Sequence, residues 1–116
     1  MDGPIKERDW KYMRTIHDEM LHALCARINK RASGIVTSGA DDPHKLYLKL
    51  YKHIETSDDI IGECFNDWKR SRISAKIIAL RVHKLMSDSH VEGLSDSAQA
   101  WLSKVETMHK EMADQD

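Results

Sequence analysis

Glu19-Met-Leu-His22 and Glu106-Thr-Met-His109 each place a carboxylate and an imidazole three residues apart. On a helix this spacing stacks two ligands one turn apart, as in carboxylate-bridged di-metal sites inside helical bundles. Glu55 and Glu63 lie on the intervening segments, so a full ligand set can be written. Two considerations weigh against it. Seven Glu and seven His in a chain of 116 residues give about 0.4 such spacings by chance, so the motif is weakly specific. Direction weighs more. At 100° per residue, Glu19 and His22 lie on the face of the first helical block turned away from Trp10, Met13, Met20 and Leu24, and Glu106 points off the apolar stripe of its own block. Metal ligands must converge, whereas these diverge. Di-metal chemistry is therefore a distant alternative, and neither metal nor cofactor is expected.

Other reactive side chains are more isolated. His17 lies within the apolar stripe of the first block, as expected of an interior or boundary histidine hydrogen-bonded to a neighbouring helix. Cys25 and Cys64 fall on separate blocks without CxxC or Cys-His spacing, and they read as reduced, small apolar residues. No Gly-rich phosphate loop, nucleophile elbow or zinc-protease spacing occurs. Phe65-Asn66-Asp67-Trp68-Lys69-Arg70 mixes aromatic and charged residues densely, as a contact surface does and as the boundary between core and solvent also does. No catalytic group is assigned.

The elements that position these residues are helical. With 41% hydrophobic and 32% charged residues, the composition is that of a globular protein and not a disordered one. Five Gly and two Pro leave few turns, which favours long elements over many short strands. The expected fold is all-α, one four-helix bundle-like domain over 1–116 with a long central third helix. The first helix runs from about 6 to 33, with Trp10, Met13, Met20, Leu21, Leu24 and Ile28 inward and a stop at Ser33-Gly34. Asp42-Pro43 caps the second, at about 43–55, with Leu46, Leu50, Ile54, Tyr47 and Tyr51 on its buried side. Thr56-Ser57-Asp58-Asp59 reads as a new start, giving a third helix over about 57–87 whose weakest point is Ser71-Arg72. The fourth spans about 95–112, with Leu94, Ala98, Trp101, Val105, Met108 and Met112 inward, and an acidic tail over 113–116. No apolar run approaches the ~20 residues of a membrane span. With no apolar segment after the first residues, the expected location is cytoplasmic.

Between Asp67 and Asp88 no acidic residue interrupts Lys69, Arg70, Arg72, Lys76, Arg81 and Lys84, although the net charge is only −1. On one continuous helix these six flank a second apolar stripe, Ile73, Ile77 and Leu80, roughly opposite the main seam. A helix that is apolar on two sides lies between neighbours, here the first and fourth helices sandwiching it within one chain, or at a subunit contact. The expected function is an interaction or regulatory module that contacts itself, as a homodimer, or another protein through Ile73, Ile77 and Leu80. The alternative is a nucleic-acid-associated protein using the six basic residues.

Overall fold

A computed structural model describes residues 3–114, and among these the backbone forms five α-helices, one 3-10 turn and no strand. In chain order they are α1 (Glu7–Thr37), α2 (Pro43–Phe65), the 3-10 turn Arg70–Arg72, α3 (Ile73–Val82), α4 (Asp88–Val91) and α5 (Asp96–Asp114). The fold is all-α and bundle-like. No helix among the described residues is long and apolar enough to cross a membrane. Of the acidic tail, 115 and 116 lie outside the described residues, while Ala113 and Asp114 continue α5.

α1 does not stop at Ser33-Gly34. It continues to Thr37, whose hydroxyl donates to the Ser33 carbonyl at 2.7 Å. The left-handed backbone is at Gly39 instead, in the loop, with φ 66°. Asp42 caps α2 as expected, its side chain accepting from the Lys45 N–H at 2.9 Å ahead of Pro43. The larger correction concerns the next boundary. α2 runs unbroken through Thr56-Ser57, because these residues bond inside the helix and do not start a new one. The Thr56 hydroxyl donates back to the Lys52 carbonyl at 2.5 Å, and Ser57 is buried against His53. Leu46, Leu50, His53, Ser57, Ile60, Ile61 and Cys64 then form one continuous inward seam at helical spacing.

The expected long third helix is interrupted at 66–69. Asp67 takes a left-handed φ of 54°, a conformation that Asn and Asp tolerate better than most side chains, and the 3-10 turn leads into α3. Because α3 is a separate rod, its inward side is no longer set by the seam before the break. Ile73, Ile77 and Leu80 turn into the core at 1%, 0% and 0% exposure, while Val82 at the end of the same helix stands 61% exposed. α3 ends with Lys84 left-handed at φ 57°, Leu85 N–H returning to the Leu80 carbonyl and Lys84 N–H to that of Arg81. This is a Schellman ending, in which Gly is the usual residue.

The core joins Met13, Met20 and Leu24 of α1 to Cys64 and Phe65, the three α3 residues, Leu85, Met86, Leu94, and Ala98 and Leu102 of α5. α5 buries only its first half. Trp101 and Val105 are half-buried, and Met108 and Met112, expected inside, are 54% and 64% exposed. No residue from 25 to 56 is buried. The distal part of α1 and the proximal part of α2 thus form a hairpin arm beyond the body, in a molecule measuring 56 × 36 × 23 Å.

Two contacts seat α5 and α4 on α1. The Asp9 carboxylate, fully buried, accepts from Ser95 N–H (2.6 Å), Ser95 hydroxyl (2.7 Å) and Lys6 N–H (2.8 Å). Burial pushes its pKa up, but hydrogen bonds from Lys6 and Ser95, with Arg8 nearby, outweigh burial and hold it below its ordinary value. Tyr12 donates to the His90 carbonyl at 2.6 Å, and its ring fills the space where a Cβ on Gly93 would stand, 2.2 Å away.

Gly93→Ala is therefore expected to destabilise the protein by about 1–3 kcal/mol, read as a lower urea midpoint with unchanged slope. Asp9→Ala leaves three donors without their acceptor and is expected to cost about 3 kcal/mol. The stabilisation from Asp9 is complete above the ordinary carboxylate range and is lost as pH falls through its lowered pKa. Acid titration of Asp9→Asn followed by circular dichroism should accordingly lack that component of the wild-type transition.

Candidate interaction surfaces

The sequence's basic run is dispersed by the break before α3. Arg70 reaches Glu7 at 3.0 Å and the Ile5 carbonyl at 3.4 Å, at the start of α1. Lys76 donates to the Glu63 and Gly62 carbonyls at 2.9 and 3.4 Å, capping the end of α2. Arg81 bonds Glu106 at 3.1 Å and Asp88 at 3.0 Å, and donates to the Met86 carbonyl at 2.9 Å. These three fasten three different elements. Lys69, Arg72 and Lys84 are exposed. The six side chains do not form one strip.

Ile73, Ile77 and Leu80, proposed from sequence as a contact face, are covered within a single chain. The physical reason is the change of helical phase at 66–69: these residues are the inward face of a short helix and not the rear face of a long one. Val82 is the large apolar residue that α3 leaves in solvent, beside Ile78 and Val105.

The metal motif separates in the same way. Glu19 accepts from His90 Nε2, the other ring nitrogen of His90 receiving the Ser87 N–H at 3.0 Å, which fixes the tautomer. Glu106 binds Arg81. Among the described residues no three or more His, Cys, Asp or Glu side chains are grouped so as to hold a metal. His17 is half-buried, edge-on to Trp68 at 4.5 Å and Phe65 at 5.3 Å. Its hydrogen-bond partner is the adjacent Asp18, at 2.8 Å, and not a neighbouring helix. Phe65 and Trp68 stack at 5.9 Å, and Trp68 also meets Trp10, so the aromatic part of 65–70 packs the connector onto α1. Trp68 Nε1 is buried without a hydrogen-bond partner among the described residues. Burial, with Glu63 adding and Lys76 opposing, pushes the Cys64 thiol up to about 11, which leaves it an inert apolar side chain. Cys25 is free and half-buried.

Further uncovered surfaces lie on the arm. Tyr47, Leu48, Tyr51 and Ile54 are 60%, 48%, 55% and 49% exposed. At 100° per residue they occupy one side of α2 with exposed His44 before them and Glu55 and Asp58 after them. The sequence assigned three of these four to the buried side, but the face covered by α1 is set by Leu46, Leu50 and His53. His53 Nε2 donates to the Ile28 carbonyl at 3.0 Å, which marks that side.

On α2's other flank, Lys45, Lys49 and Lys52 face the opposite way. Lys49 and Lys52 join Arg27, Lys30, Arg31 and His53 in lining an open groove of about 1000 Å³ that has no Asp or Glu in its walls. Arg27 also donates to the His83 and Lys84 carbonyls at 2.7 and 2.6 Å, answering the end of α3. Lys49 is ion-paired with Asp41. Between Glu19 and Glu55 six Lys and Arg stand against two Asp, leaving twelve against seventeen elsewhere. The sequence contained this segregation, but the uninterrupted basic run further on was the more visible signal.

The chain matches no protein-family model, no curated protein and no solved structure.

Because Ile77 lies in the core, Ile77→Glu is expected to unfold the protein and not merely to separate subunits. Loss of the helical circular dichroism signal at every protein concentration is the expected result, whereas a folded variant contradicts the inward placement of α3.

Proposed function

We propose that the protein is a non-enzymatic interaction module that pairs with a second copy of itself through the exposed side of α2, and not through α3 as the sequence suggested. The observation that carries this reading is the order of residues along that side. His44 leads, Tyr47, Leu48, Tyr51 and Ile54 follow, and Glu55 and Asp58 end it, all of them exposed. When two such helices meet antiparallel about Tyr51, residue numbers of facing positions add to 102. His44 of one copy then faces Asp58 of the other, Tyr47 faces Glu55, Leu48 faces Ile54, and Tyr51 lies on the twofold axis. The side therefore sets hydrogen-bond donors (His44, Tyr47) against carboxylates (Asp58, Glu55) and apolar residues against one another at its centre, the self-complementarity that an isologous dimer requires.

Size sets the strength. A half-exposed Tyr has on the order of 100 Å² to bury, so the apolar side chains of two copies supply on the order of 700 Å². Stable complexes bury about 1,200–2,000 Å². The pairing is accordingly reversible and dependent on concentration.

Sedimentation equilibrium at rising concentration should carry the mass from the 13.4 kDa monomer toward twice that value. Tyr51→Glu should remain monomeric with unchanged helicity. His44→Asp should weaken pairing, and adding Asp58→Lys to it should restore pairing. A wild-type mass that never rises, or a Tyr51→Glu variant that still pairs, overturns the reading.

A further inference from the structure

The groove on the lysine flank of the arm points to a ligand of its own, independent of self-pairing: we propose that it binds the phosphate backbone of a single-stranded nucleic acid. Arg27, Lys30 and Arg31 occupy one wall at i, i+3 and i+4, and Lys49 and Lys52 the other at i and i+3. With a helical rise of about 1.5 Å per residue, each wall repeats its positive charge about once per turn. A polymer with one negative charge on every unit answers such a repeat at several points at once.

Arg70, Lys76 and Arg81 each engage an acceptor within the fold. Lys30, Arg31 and Lys52, by contrast, are exposed and have no ion pair or side-chain hydrogen bond among the described residues. Five cations kept close together without carboxylates between them repel one another, a cost that a bound anion removes. With Lys49 already engaging Asp41 and Arg27 retaining its charge while bonded to two carbonyls, the site has five cations and one acid at its margin.

The form of the groove selects the strand. It lies between two packed helices, whose axes stand about 8–10 Å apart, so its floor can be reached by one strand and not by a duplex. Tyr47 and Tyr51 are on the opposite flank of α2 and do not enter it. Binding is therefore electrostatic and tolerant of sequence. The chain's net charge of −1 does not oppose this locally, because the arm and the body carry opposite signs.

The test is fluorescence anisotropy of a labelled oligothymidylate with the full-length protein, below the concentration at which it pairs. For five phosphate contacts on a single strand, affinity should fall about 10²-fold between about 50 and about 200 mM salt. Lys30→Ala/Arg31→Ala/Lys52→Ala, whose side chains make no ion pair or hydrogen bond among the described residues, should weaken binding about tenfold or more and reduce that salt response to about sevenfold. Lys69→Ala/Arg72→Ala/Lys84→Ala removes the same charge from the body and should bind as the wild type does. The proposal is overturned by absence of binding at low salt, by equal losses in the two triple variants, by tighter binding of duplex than of single strand, or by displacement of the oligonucleotide with equal ease by polyglutamate. The last outcome assigns the groove to an acidic protein segment. None of these outcomes depends on self-pairing, which the mass measurement decides separately.

Discussion

The buried carboxylate of Asp9 is the contact on which the arrangement of the body depends. An ionised side chain removed from water is costly unless its lone pairs are met, and here three donors meet them, two from Ser95 and one from Lys6. Ser95 precedes α5, and its hydroxyl in turn accepts from the Ala98 N–H at 3.3 Å. One carboxylate in the first turn of α1 thus fixes where α5 begins, eighty-six residues later in the chain. The neighbouring contacts extend that registration along α1: Tyr12 against Gly93, Glu19 with His90, and Arg27 at the end of α3. A long helix consequently serves as the spine against which short elements are placed by polar contacts as much as by apolar ones.

This construction explains why the body and the arm differ in what they offer. In the body, cations answer helix ends and carboxylates: Lys76 closes α2 and Arg81 holds α5, while Arg27 reaches from the base of the arm to close α3. Beyond Leu24 and before Ser57 the hairpin has no third helix to cover it, and none of its residues is buried. Its inner seam suffices to hold α1 and α2 together, but the apolar side of α2 and the cationic groove beside it remain open to solvent. Two surfaces of different chemistry lie on opposite flanks of one helix, and the proposed self-pairing on one flank would leave the other accessible.

Helical class, the cap at Asp42-Pro43 and the inward residues of α1 were legible in the sequence because each rests on local periodicity or local chemistry. The misplaced boundaries show where such reading ends. Thr56-Ser57 has the composition of a cap, but its hydroxyls are satisfied within a helix, which no local pattern distinguishes. Asn66-Asp67 breaks the chain without Gly or Pro, and the inward assignments on α3 depended on the helical phase across it. Ile73, Ile77 and Leu80 were correctly singled out as a second apolar stripe, yet the conclusion that they face a partner failed with the phase. Conversely, Tyr47, Tyr51, Met108 and Met112 have the spacing of core residues. Periodicity reveals that a helix has an apolar side, and only the tertiary arrangement reveals whether anything covers it. The arm was missed for that reason, and its net charge was obscured by a more continuous basic run in the body.

The claim that the exposed side of α2 recognises itself antiparallel is tested most directly by cross-linking between copies. Two proteins are needed, one with His44→Cys and one with Asp58→Cys, both lacking Cys25 and Cys64 through replacement by Ala. In the antiparallel pair positions 44 and 58 face each other, while the two copies of either position lie about 21 Å apart, fourteen residues at about 1.5 Å each. A short bismaleimide should link the mixed pair and leave each protein alone unlinked. Linkage of 44 to 44 or 58 to 58, or no linkage in the mixture at concentrations where the mass is dimeric, contradicts the account.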